Sequence, residues 1–293
     1  MNNLLFLVVL AGGLSWINHA VWASEVTARP LRIKWLGNAG WEIRAGGTVL
    51  LIDPFLTRRE ASRAEEWKTN EEEVLRNIDK ADFIFAGHSH ADHIADIPFI
   101  ARRFGSKVIG SRTTTNIAVG AGVAESQLIT ISGGENFDFK EFSVQIIESQ
   151  HGVLTRAGRR RQPRSEEVLQ PWSRPTKGDA FVEGGSYLYY FTFGNLRILH
   201  QSTGNFIEDR LKSVRPDIAL LAENRNYNWP DALKLLQPKT VVIQHYDEWR
   251  RPFSEGIQES NRRRARRFEK VIKTFDSKIR VIIPELLNTI SLD

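Results

Sequence analysis

Short bursts of period-two alternation dominate the first half of the chain. Residues 31–36, 41–44 and 48–52 have strand length and strand patterning, and Gly37 and the Gly46-Gly47 pair punctuate them. The run Asp-Phe-Ile-Phe-Ala at 82–86 reads as a buried strand ending at Gly87. Further strands are expected at 107–109, 128–131, 137–140 and 142–148. Helical spacing covers 70–78, 91–104 and 112–119. A hairpin joins 185–193 to 196–199 through Gly194-Asn195. The last third changes rhythm: helix near 206–212, strand 217–221, helix near 231–236, strand 240–244, helix near 258–275, strand 278–283. Meandering strands followed by βα units predict two mixed sheets covered by helices, an α/β sandwich.

The amino terminus breaks this pattern. Leu4 to Ile17 is an uncharged apolar run of 14 residues. That is shorter than the roughly 20 residues a membrane span needs. It matches the apolar region of an export signal, about 7–15 residues. Val21-Trp22-Ala23 supplies small residues at the −3 and −1 positions, so cleavage after Ala23 is expected. The expected organisation is a signal peptide at 1–23 and one domain at 24–293. The expected location is periplasmic or secreted. If the signal is retained, it serves as an N-terminal membrane anchor.

Composition narrows the chemistry. The chain has no cysteine, which excludes disulfides, zinc fingers, iron–sulfur clusters and a cysteine nucleophile. Any transition metal must be held by His, Asp or Glu. The formal net charge of +5 is local. Residues 155–180 carry net +4 and residues 249–270 net +5, leaving −4 for everything else. In the second block Ala265, Phe268, Ile272 and Phe275 share one helix face, so its arginines read as a solvated surface.

The sharpest motif is Gly87-His88-Ser89-His90-Ala91-Asp92-His93. It follows an apolar strand and opens a helix. His88 and His90, two apart at a strand end, project to one side. The turn into the helix brings Asp92 and His93 towards the same space. Neutral imidazoles with a carboxylate suit zinc, manganese or iron.

His-Ser-His-Ala-Asp-His resembles the HxHxDH signature of the metallo-β-lactamase superfamily. Leu36-Gly37-Asn38-Ala39-Gly40 and Leu51-Ile52-Asp53-Pro54-Phe55 resemble its opening strands. His151 and His245, each after a strand, resemble its later ligand motifs. The wording is nearest the branch with ascorbate-6-phosphate lactonase and N-acylphosphatidylethanolamine phospholipase D. The resemblance implies a metallo-β-lactamase-like αββα sandwich. It also implies two metal sites, one from His88, His90 and His151 and the other from Asp92, His93 and His245. Asp53 would orient the motif loop by hydrogen bonding. One departure matters: Asn205 stands nearest to where the family has a bridging aspartate. A neutral amide bridges two cations poorly, so one tightly held zinc and one labile or absent metal are expected. Glu223 and Asp209 are alternatives for reaching into the site. His200 is expected beside the ligands at most.

A metal held by imidazoles brings the pKa of its water towards neutrality. The expected reaction is therefore hydrolysis of a lactone, ester, amide or phosphodiester, with Asp92 orienting the water or taking its proton. The segment 152–183 follows His151 directly and is expected to form a basic insertion loop at the site mouth. Arg159, Arg160, Arg161 and Trp172 on it, with Asn38 and Tyr246, are the candidate substrate contacts. Arginine pairs bidentately with phosphate or carboxylate, so a small or lipid-like anionic substrate is expected. A membrane surface is an admissible partner, and nucleic acid is disfavoured by export. The competing readings are a solvated loop, a true β-lactamase, and a metal- or anion-binding module without turnover.

Overall fold

A computed structural model describes residues 31–58, 68–152, 154–156, 159–161, 167–171, 181–223, 227–290 and 292. The expected signal at 1–23 and the candidate contact Trp172 lie outside the described residues. Two seven-stranded mixed sheets form the frame. The first contains β1 (Arg32–Gly37), β2 (Gly40–Ala45), β3 (Thr48–Ile52), β4 (Phe83–Phe85), β5 (Lys107–Gly110) and β6 (Leu128–Thr130). The second contains β7 (Asn136–Asp138), β8 (Ser143–Ser149), β11 (Ser186–Phe193), β12 (Leu196–Gln201), β13 (Ile218–Ala222), β14 (Thr240–Gln244) and β15 (Arg280–Ile282). Between β8 and β11 the strands β9 (Leu154–Arg156) and β10 (Arg159–Arg161) pair only with each other. The short β16 (Thr289–Ile290) returns to pair with β1 and completes the first sheet.

Both sheets follow one logic. β1, β2 and β3 are antiparallel, and β3 to β6 are then joined in parallel. In the second sheet β7, β8, β11 and β12 are antiparallel, and β12 to β15 are parallel. The parallel joins need crossovers, which supply the helices. These are α1 (Glu71–Asn77), α2 (Ala91–Ile94), α3 (Ile97–Phe104), α4 (Arg112–Gly120), α5 (Trp229–Leu236) and α6 (Glu259–Phe275).

Alternation explains the layers. Along β3, Leu50 and Ile52 enter the core between the sheets, while Val49 and Leu51 face the helices with Val74, Ile94, Ile97 and Ile100. Phe85 and Ile109 repeat the inward placement, and Ile84 and Val108 the outward one. A sheet buried on both faces reads as a continuous apolar run, as 82–86 does.

Three expectations need correction. The helix expected over 91–104 is two helices. Pro98 has no N–H to give residue 94, and its ring crowds that carbonyl, so it is accommodated in the first turn of a new helix that starts at Ile97. The buried Asp96 at this break accepts hydrogen bonds from the Leu56 and Thr57 amides (2.7 and 2.8 Å) and the Thr57 hydroxyl (2.5 Å). It thereby pins the segment that follows Asp53. The helix expected near 206–212 is a single 3-10 turn, Glu208–Leu211. The basic loop at 152–183 contains the β9–β10 hairpin. The paired triplets are three residues each, too short for alternation to mark them.

Candidate metal centre

The strand ends carry the site. Asp53 follows β3, the motif loop follows β4, His151 follows β8 and His245 follows β14. The sandwich brings these ends together and sorts the candidate ligands into two triads. In each, the candidate donor atoms lie within 4.8 Å of one another.

The first triad is His88, His90 and His151. Nε2 of His88 lies 2.9 Å from Nδ1 of His90, and the His151 ring sits 4.8 Å from both rings, centroid to centroid. His151 donates from Nδ1 to the Gly152 carbonyl (2.7 Å), which leaves Nε2 as its donor atom for a metal. The second triad is Asp92, His93 and His245. Oδ2 of Asp92 lies 3.5 Å from Nε2 of His93 and 3.7 Å from Nε2 of His245. The triads are adjacent, with the His88 and His93 rings 3.9 Å apart.

This donor set fits a metal. Ligand atoms each about 2.0–2.2 Å from a tetrahedral zinc stand roughly 3–3.6 Å from each other, close to these separations. Protonation agrees in the first triad. Burial pushes His88 well below the usual histidine range, and burial with the nearby His151 takes His90 down to about 4. Burial lowers His151 and His245 as well. These are neutral imidazoles with lone pairs to offer. His93 differs. Burial pulls it down, but the Asp92 and Asp53 carboxylates outweigh burial and raise it to about 10. Burial alone would raise Asp92, yet His93, His245 and His90 pull it far below the carboxylate range.

Asp53 is fully buried between the motif loop and His93. Its Oδ1 accepts from the Gly87 amide (2.6 Å) and its Oδ2 from Nδ1 of His93 (2.9 Å), so Nε2 of His93 faces Asp92. Glycine at 87 is required by space: a Cβ there would meet the Ser202 hydroxyl at 2.2 Å and Asp53 Oδ2 at 3.0 Å.

Other expected residues lie elsewhere. Asn205 turns its amide to the backbone, donating to the His151 carbonyl (3.3 Å) and accepting from the Phe206 amide (2.9 Å). It braces the His151 segment. Glu223 pairs with Arg264 (2.6 Å) and Asp209 with Lys212 (2.7 Å), so neither reaches the triads. His200 is fully buried and donates from Nε2 to the Ala39 carbonyl (2.9 Å), under the turn that carries Asn38. Tyr246 does not line the pocket. The positive φ of His245 (57°) turns the chain, and Tyr246 packs inward against Trp35 with its hydroxyl on the Pro284 carbonyl. Asn38 is fully buried and faces Asp92, with Nδ2 on the Asp92 carbonyl (2.8 Å) and Oδ2 (3.1 Å). Arg159, Arg160 and Arg161 form β10, eight to ten residues past His151.

Two residues had no place in the sequence reading. Asp247 accepts from the Asn38 amide (2.9 and 3.1 Å) and is ion-paired with Arg58, both side chains being buried. Asp247 is two residues past His245 and Arg58 is five past Asp53, which is the only hint the sequence offers. Beside His151 opens a cleft of about 780 Å³, walled by Arg112, Glu148, Glu183 and Tyr187 among others.

Two mixed sheets flanked by helices, with paired His and Asp triads at the strand ends, define a metal-dependent hydrolase of the metallo-β-lactamase fold. The chain belongs to the β-lactamase superfamily: the model of its domain matches residues 32–242. A UPF0173 metal-dependent hydrolase of Myxococcus xanthus is 25% identical over 89% of this chain and 84% of its own length. A second, from Pelotomaculum thermopropionicum, is 27% identical over 75% of this chain and 86% of its own. Among solved structures, Igni18, a metallo hydrolase of Ignicoccus hospitalis, superposes with a TM-score of 0.59 at 20% identity, over 90% of this chain and 98% of that one. CmlA, a diiron β-hydroxylase of Streptomyces venezuelae, superposes with a TM-score of 0.60 at 12% identity, over 90% of this chain and 54% of that one. At such identities the structures speak for the fold alone.

Proposed function

We propose that this hydrolase is an exported zinc enzyme that cleaves an ester, lactone or phosphodiester bond in an anionic substrate. The observation that carries the reading is the pairing of two triads beside an open cleft, one built from three neutral imidazoles and one containing a carboxylate. A divalent ion held there lowers the pKa of water towards neutrality and polarises the oxygen of the bond under attack. The chain's own residues do the rest. Asp92, kept ionised by the histidines around it, orients the water as a hydrogen-bond acceptor. His151 marks the side from which substrate enters, because it alone of the ligands lines the cleft.

An anionic substrate is supported by what surrounds that entry. Arg112 is in the wall, and the hairpin bearing three consecutive arginines starts three residues after His151. Of the cleft's three glutamates, Glu148 is offset by Arg210 (2.8 Å), and the arginine hairpin rather than the wall itself carries the anionic reading. Export is supported by the apolar run at Leu4–Ile17.

A panel of carboxylic ester, lactone and phosphodiester substrates tests the reading on chelated protein with zinc or manganese restored. Metal-dependent turnover that His90→Ala abolishes is expected. Metal binding without turnover on any of them would favour the non-catalytic module, and nitrocefin cleavage would favour a β-lactamase. Amino-terminal sequencing of protein from the periplasm or medium should start at Ser24.

A further inference from the structure

The β1–β2 turn ends inside the metal centre, and every polar group but one of its buried Asn38 is committed to a different element. The carbonyl accepts from Nε1 of Trp35 (3.0 Å) and from the His245 amide (2.9 Å). The amide N–H donates to both oxygens of Asp247 (2.9 and 3.1 Å). Nδ2 donates to the Asp92 carbonyl (2.8 Å) and Oδ2 (3.1 Å). Only Oδ1 is buried without a partner. The residue also adopts a positive φ of 51°, which L side chains avoid and asparagine tolerates best after glycine.

Two further features keep this conformation in place. Asp247 is held by the buried Arg58, whose guanidinium also covers the Phe253 ring at 4.5 Å. Gly37, at φ 87°, leaves no room for a Cβ: one would fall 1.9 Å from Arg58 Nη2 and 3.0 Å from Asp247 Oδ2. A left-handed asparagine with an unpaired buried oxygen is unfavourable taken alone. It persists because neighbours on three segments determine it. Its contacts fall on Asp92 and His245, two ligands of the second triad. None of its hydrogen bonds goes to His88, His90 or His151.

We propose that Asn38, backed by Asp247 and Arg58, is a positioning residue that presets Asp92 against His245 and so sets the metal affinity of the second triad alone. The carboxylate keeps a lone pair on Oδ2 for a metal while another accepts from Asn38, and the shared carbonyl contact fixes where His245 leaves β14. The inference rests on the metallohydrolase reading of the site. Groups that orient metal ligands in this way are typically worth about 10–100-fold in affinity.

Asn38→Gly removes the amide while keeping a backbone that accepts positive φ. The full chain is stripped with a chelator, and zinc affinities are read by competition with a chromophoric chelator. His245→Ala identifies which equivalent belongs to the second triad. The expected result is a 10–100-fold weaker second equivalent, with the first unchanged within about threefold. Equal weakening of both, or no change in either, would overturn the inference, as would a wild-type protein that binds one equivalent only. The hydrolase reading survives all three results. A wild-type chain that binds no zinc would overturn both. Should Asn38→Gly not fold, Asn38→Ser, too short to reach Asp92, is read in the same way.

Discussion

The two triads share one edge of the sandwich yet rest on opposite kinds of support. The first is three neutral imidazoles, of which His151 lines the cleft and His88 is fully buried. His88 leaves Nδ1 buried without a partner, and His151 leans on the neighbouring Gly152 carbonyl and on Asn205. The second sits in a dense buried frame, with Asp53 on His93, Asn38 on Asp92, and the Asp247–Arg58 pair behind. Rigid support does not by itself mean tighter binding. A metal in the second triad must displace the proton that two carboxylates hold on His93, and it has no bridging carboxylate from Asn205. The first triad asks for no proton at neutral pH. We therefore expect the less braced triad to hold zinc more tightly, with the framework around the second partly offsetting its handicap.

The largest effect should come from the first triad. His90→Ala is expected to lower kcat/KM by roughly three orders of magnitude or more and to remove the tight metal equivalent. Retained turnover would break the comparison at its root. The frame behind the second triad should show in stability instead. Arg58→Ala strands the Asp247 carboxylate in the interior and should cost about 3–5 kcal/mol in urea unfolding. The double variant Arg58→Met/Asp247→Asn should regain most of that. Asn205→Ala, the corresponding support of the first triad, should cost only about 1 kcal/mol.

The triads should also leave opposite marks on the pH dependence of the metal-free protein. His90, at about 4 when folded, titrates near 6.5 when unfolded. The unfolded chain then binds more protons between those values, so stability falls as pH drops from about 6.5 towards 4. His93, raised to about 10, does the reverse. Its contribution is complete below about 6.5 and is lost as pH rises through 10. Melting temperatures across pH should therefore peak between these limits. His93→Gln should flatten the alkaline fall, and a profile unchanged by that substitution would count against a protonated His93. The smallest effect concerns substrate entry on the His151 side. Serine at 159–161 should raise KM for an anionic substrate by about tenfold without moving the melting temperature.

How much of this was legible in the sequence varies with range. The layers were, because alternation along 48–52 and the apolar run at 82–86 encode which faces are buried. The two candidate triads were open to local reading too, because a dense motif and strand-end histidines lie at the ends of patterned strands. The break at Pro98 was also open to local reading and shows how one missing N–H outweighs a long apolar periodicity. Tyr246 was misplaced because adjacency to a ligand does not fix direction once the backbone turns at His245. Asn38, Arg58 and Asp247 were beyond sequence reading as a unit. They are separated by up to 209 positions, and nothing in their local patterns announces that they meet.

The most direct test of two unequal triads is a calorimetric zinc titration of the chelator-stripped protein beside its His151→Ala and His245→Ala variants. Two equivalents of different affinity are expected, with the tighter lost in His151→Ala and the weaker lost in His245→Ala. Two equally tight equivalents in the wild type, or loss of both in either variant, would contradict that expectation.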